Sequence, residues 1–176
     1  MTEYFGQQTY PQTDSGPAQQ AVWNQNNYSC PGSGNQIVEE ISVRINTYSS
    51  GQIRVGVYGA SNNALVVEGT AAVTPGGTGW QGHMNNATCK NAGGSSPGVL
   101  IGGQSYKLGY AQSSSSLAGG SNTNGSIWYA SGNYMTGMPA TINTGNTAAS
   151  VHAALRCGVN PQSVLDMSIK RILLCG

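Results

Sequence analysis

From Gln36 onward the chain alternates in character: Ile37, Glu39, Ile41, Val43 and Ile45 share one parity, and Val38, Glu40, Ser42, Arg44 and Asn46 the other. A period of two marks a strand with one buried face. After the turn residues Tyr48-Ser49-Ser50-Gly51 the pattern resumes, with Ile53, Val55 and Val57 inward and Arg54, Gly56 and Tyr58 outward. Two such runs joined by four or five residues predict an antiparallel hairpin. Further strands are predicted at 64–68, 71–74, 99–101, 106–111, 126–130, 150–156 and 167–174. Turn signals separate them at the spacing of an all-β sandwich or barrel. One short helical turn is a candidate at 161–165, with Asn160 as cap and Pro161 in the first position, although a loop fits equally. Residues 1–19, rich in Gln, Thr, Pro and Ser, predict an extended N-terminal arm, either a contact for a neighbour in an assembly or a frayed end. The sandwich domain then runs over 20–176.

Charge changes the picture most. The 176 residues hold 7 Lys+Arg and 6 Asp+Glu against 26 Gly, where an ordinary globular domain is about a quarter charged. The groups that perform acid/base, phosphate or metal chemistry are scarce, which argues for a surface that binds or assembles, against an enzyme, and for no cofactor. A net charge of +1, with Lys170-Arg171 as the only adjacent basic pair, gives no field for nucleic acid. No run approaches the roughly 18 apolar residues of a membrane span, so no membrane insertion is expected. The first residues lack the basic and apolar regions of a secretory signal, which predicts use without Sec export or a trimmed chain.

Candidate catalytic groupings are thin. Histidines stand only at 83 and 152. His83, in a Gly/Asn-rich stretch, reads as a solvated or hydrogen-bonded side chain rather than a ligand, and no two histidines stand at metal spacing. No GxSxG elbow positions a serine. Glu39 and Glu40 are neighbours, so on a regular strand they point to opposite faces and cannot both line one cleft. Gly93-Gly94 and Gly102-Gly103 lack the Lys-Ser/Thr of a phosphate loop and read as turns. Cys30, Cys89, Cys157 and Cys175 match no zinc or redox spacing. Either Cys157 and Cys175, the most local pair, form a disulfide, or the thiols are buried as small hydrophobes. Sequons at Asn27, Asn86 and Asn124 read as chance matches in an Asn/Ser/Thr-rich chain.

Four short motifs carry a resemblance: Ile53-Arg54-Val55-Gly56-Val57-Tyr58; Thr74 to Gly79 with Trp80; Gly103-Gln104-Ser105-Tyr106-Lys107-Leu108-Gly109-Tyr110; and Ser126-Ile127-Trp128-Tyr129-Ala130. Their succession over residues 20–142 resembles a jelly-roll β-sandwich module of the kind found in phage fibre or decoration proteins and in carbohydrate-binding-like domains of bacterial surface proteins. Residues 143–176 fall outside it. On the residues alone, the glycines beside Tyr58 and Tyr110 leave room for close packing of a second sheet, and Tyr58, Tyr106 and Tyr110 are expected to serve the core.

The resemblance implies a non-catalytic virion-surface protein that self-assembles as a homo-oligomer or binds a viral coat protein. The alternative is an extracellular module that binds a cell-surface glycan. Sugar recognition uses aromatic faces with Asn, Gln and Ser donors and acceptors. Candidates of that kind are Trp128, Tyr134, Asn124 and Asn133, with Asn122 and Tyr129 nearby, and Trp80 with Gln81 elsewhere. Trp128 and Tyr129 face opposite sides of a strand, so one of them packs inward.

Overall fold

The structure, a computed structural model, describes residues 1–8, 20–114, 118–119, 126–149 and 153–161. Its strands form two antiparallel sheets packed face to face, the all-β sandwich that the alternation predicts. In the first sheet the long β4 (Gly34–Thr47) is central. Along one edge it pairs β14 (Leu155–Pro161), which in turn pairs β1 (Glu3–Gln7). Along the other edge it pairs β9 (Val99–Gly102) and β7 (Gly79–His83) in succession; β11 (Ala118–Gly119) pairs its last residues on the β14 edge, Ile45 being paired with Gly79 on one side and Gly119 on the other. The second sheet runs β13 (Thr147–Ala149), β12 (Ser126–Ser131), β2 (Gln20–Asn24), β10 (Ser105–Gln112), β5 (Ile53–Gly59), β6 (Leu65–Gly69) and β8 (Cys89–Asn91), with β3 (Tyr28–Ser29) also pairing β10.

The main core lies between the sheets: Ile41, Val43 and Ile45 of β4 face Ile53, Val55 and Val57 of β5 and Leu108 of β10. The expected hairpin is therefore not formed. β4 and β5 lie in different sheets, and residues 48–52 carry the chain across the core as an arch. Two strands that each bury one apolar face can bury it against one another, which side-by-side pairing cannot do. The arch is held where the Gln52 amide donates to Ser113 Oγ at 2.8 Å and the Ser113 amide donates to the Gln52 carbonyl at 3.0 Å.

The alternation of β4 also breaks once. Gly158 pairs Glu40 while Val159 pairs Val38, so Glu39 is the extra residue of a β-bulge. A bulge shifts the parity of everything before it. Val38, not Ile37, is therefore fully buried with Ile41, and Ile37 is left half-buried on the other face.

Other expectations shift at the termini. The first part of the expected arm is β1, an edge strand whose Phe5 enters the core; an apolar residue flanked by polar ones can be buried on one side of a paired strand. Residues 9–19 lie outside the described residues. Pro161, expected at the start of a helical turn, is the last residue of β14, a place where a missing N–H costs little. Residues 162–176, including the strand expected at 167–174, lie outside the described residues. Of the strand expected at 150–156, residues 150–152 lie outside the described residues, and β14, Leu155–Pro161, sits between β1 and β4.

The second sheet has a second core on its outer face. Ala21 and Trp23 of β2, Tyr58 of β5, Ala111 of β10 and Ala130 of β12 are covered by Met138 and Ile142 from the segment after β12. β2, buried on both faces, shows no alternation, the expected pattern for a strand covered on both sides. The room beside the tyrosines is used here rather than by the other sheet: a Cβ on Gly109 would collide with the Trp23 indole, and one on Gly56 would crowd Met138 at 3.3 Å.

Candidate functional site

Two charged clusters lie on the two outer faces. On the second sheet, Arg54 of β5 and Glu68 of β6 form an ion pair with Nε to Oε2 at 3.1 Å and side chains 4% and 9% accessible. Arg54 spends its other donors on carbonyls, Nη1 to Met135 at 3.0 Å and Nη2 to Gly69 at 2.9 Å. The Met138 amide donates to Glu68 Oε2 at 3.0 Å, Tyr58 OH donates to the Pro139 carbonyl at 3.0 Å, and Lys90 approaches Glu68 Oε1 at 3.3 Å. The cluster is a clasp that holds residues 131–142 as a strap over the sheet.

Three of the candidate sugar contacts belong to this covered face. Trp128 and Tyr134 pack, half-buried, against the second core. Lys107 Nζ stands 5.8 Å from the Trp128 ring centre and donates to the Ala60 carbonyl at 2.8 Å; burial lowers its pKa. Tyr134 OH donates to the Ser131 carbonyl at 3.3 Å, and exposed Asn133 accepts from the Met135 amide at 3.1 Å. Asn122 and Asn124 lie outside the described residues. As the strand geometry requires, Tyr129 packs against the inner core while Trp128 faces the other way.

Trp80 is on the opposite outer face, in β7 of the first sheet, and the structure does not bring it to Trp128. It joins a different group. Arg156 of β14 lies between two rings, its guanidinium carbon 4.4 Å from the centre of Trp80 and 4.7 Å from the centre of Tyr4 of β1. Beneath them Glu40 of β4, 5% accessible, accepts from Arg156 Nε at 2.7 Å, Ser42 Oγ at 2.5 Å and Tyr4 OH at 3.1 Å. Burial, with the adjacent carboxylate, raises the Tyr4 pKa. Planar guanidinium stacked on aromatic faces is a favourable arrangement that lysine cannot reproduce.

Glycine shapes this face. A Cβ on Gly158 would come within 2.8 Å of the Tyr4 ring, so glycine there lets the ring pack against the strand; Gly82, opposite Ser42, adopts a φ of +146° and adds no side chain beside Trp80. Strand register makes the stripe contiguous: Tyr4 pairs Gly158, Gly158 pairs Glu40, Arg156 and Gly82 both pair Ser42, and Trp80 pairs Arg44. Sequence reasoning named Trp80 but missed Tyr4, Glu40, Ser42 and Arg156, which lie on three strands far apart in the chain. The outward parity of Glu40, Ser42 and Arg44 was the one available signal.

The remaining candidates are internal. His83, expected in a loop as a solvated or hydrogen-bonded side chain, is the hydrogen-bonded case, 3% accessible at the end of β7 rather than in a loop. It packs onto Gly69 of the other sheet, and its Nε2 donates to the Ala71 carbonyl at 2.9 Å. Alternation along β7 turns His83 inward because Trp80 and Gly82 face out. Burial lowers its pKa. Cys30, Cys89 and Cys157 are buried free thiols; burial pushes Cys30 up to about 11 and Cys89 up to about 12, and Cys157 well above its ordinary value. Cys175, the proposed partner of Cys157, lies outside the described residues, as does His152. Among the described residues no three His, Cys, Asp or Glu side chains gather as a metal site. No described helix is long and apolar enough to cross a membrane.

Comparison of the chain with protein-family models finds no match. Comparisons with curated proteins and with solved structures find no similar chain either.

Proposed function

We propose that this is a non-catalytic structural protein of a virion exterior, a phage capsid decoration or fibre component that assembles with copies of itself or with a coat protein. One observation supports the reading: the described residues keep nearly all of their few charges buried or half-buried. Among the described residues Glu40, Arg54, Glu68 and Lys107 are buried, Glu39, Arg44, Lys90 and Arg156 are half-buried, and Glu3 alone among charged side chains is exposed. What remains outside is largely Gly, Ser, Asn and Thr, short side chains that lose little rotamer freedom on contact. Such a surface can pack against a neighbour without desolvating ions. The two interior carboxylates work in the same sense, each tied to an arginine as a structural acceptor.

The test is the absolute mass of the purified chain by light scattering behind a sizing column across a concentration series. A stable trimer or larger assembly is expected; a monomer at every concentration, with no binding to a coat protein, overturns the reading. A second reading, a carbohydrate-binding module exposed to the extracellular medium, is favoured by the stacked rings of Tyr4 and Trp80 around Arg156.

A further inference from the structure

We propose that the outer face of the first sheet is a saccharide-binding surface, with Trp80 and Tyr4 as aromatic flanks that leave the edge of the Arg156 guanidinium between them as the planar donor, and a neutral polysaccharide chain as the ligand. The inference rests on the carbohydrate-binding reading and not on the virion one. A decoration protein that does not bind glycan leaves the assembly reading standing, and a glycan-binding monomer leaves this one standing.

The two outer faces set up the argument. The second sheet is roofed by its own chain, so its aromatic residues Trp23 and Tyr58 are fully buried. The first sheet has no such roof among the described residues. Its aromatic side chains remain in reach of solvent, Tyr4 at 39% accessible and Trp80 half-buried. Hydrophobic cost would favour turning these rings in or replacing them. Instead a buried carboxylate, two hydroxyls and a guanidinium are spent on holding them in place. The result is a preorganised surface in which Gly158 lies beneath Tyr4 and Gly82 adds no side chain.

The chemistry of that surface selects the ligand. Pyranose rings present an apolar face and a rim of hydroxyls, which suits aromatic walls beside a fan of N–H donors. A guanidinium offers its donors in a plane, so it can meet two neighbouring hydroxyls at once. Glu40 already neutralises Arg156 from below, so Arg156 meets a ligand as a hydrogen-bond donor within a neutral pair; Arg44, opposite Trp80 in the same stripe, is the further cation whose pull on an anion the alginate comparison tests. The stripe crosses four strands, from β1 through β14 and β4 to β7. At about 4.8 Å between neighbouring strands, that width suits an extended chain of sugars rather than a single ring.

The experiment uses the full chain in affinity gel electrophoresis with xylan, galactomannan, dextran and a mixed-linkage β-glucan, and with alginate as the anionic comparison. Retardation by at least one neutral polysaccharide is expected, with the affinity falling tenfold or more in Trp80→Ala and in Arg156→Lys. Trp128→Ala, on the opposite face, should bind as the parent does. Tyr4→Ser, at a sheet edge, supplies a second variant should Trp80→Ala fail to fold. Hydroxyl-radical footprinting of the unmodified chain gives an independent reading: bound polysaccharide should protect Trp80 and Tyr4 and leave Tyr134 labelled. No retardation by any neutral polysaccharide, retardation by alginate alone, unchanged affinity in folded Trp80→Ala or Tyr4→Ser, or protection of Tyr134 in place of Trp80 would each overturn the proposal.

Discussion

The two outer faces of the sandwich each carry an arginine–glutamate pair, and the pairs do different work. Arg54 and Glu68 are enclosed, and their spare donors and acceptors go to the backbone of residues 135–138 and of 69, so the pair fastens a strap and seals a second core. Arg156 and Glu40 are also hydrogen-bonded, but the Arg156 side chain stays 21% accessible and its guanidinium is flanked by rings. The same two residue types yield a structural clasp when the chain folds back over them, and an organised open surface when it does not. Burial of the partners, more than the pair itself, decides which.

The largest expected effect tests the clasp. Glu68→Ala leaves Arg54 buried without its carboxylate and removes the acceptor of the Met138 amide, so a loss of about 3–5 kcal/mol is expected, read as a lower urea midpoint. Loss of the strap should also appear as faster proteolysis between residues 131 and 142. A fall no greater than that of the next variant would erase the contrast.

Glu40→Ala strikes the open pair. Arg156 keeps both rings and some solvent, so a smaller loss of about 1–2 kcal/mol is expected in the same urea titration. An equal or larger loss than for Glu68→Ala would mean that the open face is as much a part of the core as the covered one.

The smallest effect concerns His83, which lies between the sheets near both Arg54 and Glu68. Its folded pKa lies below the ordinary 6.5, so the unfolded chain takes up a proton first as pH falls. The stability linked to this group is present above pH 6.5, declines as pH drops through that value, and levels off below the lowered folded pKa. Urea midpoints measured from pH 7.5 to 5 should show that decline, and His83→Gln should flatten it. An undiminished slope in the variant would assign the dependence elsewhere.

Much of the strand content was legible because it follows from residue parity: β5, β9, β10 and β12 lie where alternation or apolar runs with turn signals place them. Three kinds of feature were not. β2 has both faces buried, so Gln20 to Asn24 shows no periodic signal. The bulge at Glu39 reverses the inward side of β4 without any mark in the composition. β4 and β5 looked like a hairpin because two alternating runs with a short connection suit either a hairpin or an arch. The candidate site divided in the same way. Trp80 was visible as an aromatic residue beside turn glycines, whereas Arg156 and Tyr4 acquire meaning only through cross-strand register.

By itself the sequence determined the all-β class, the inward side of β5 and of β4 after its bulge, and the scarcity of charge, because each depends on residue type and on a period of two along one strand. Tertiary structure alone decided which sheet each strand joined, which outer face was roofed, and that Tyr4, Glu40, Arg156 and Trp80 would meet. Those outcomes depend on pairing between strands distant in sequence, where the free energy comes from burying two faces together and no single segment carries the information.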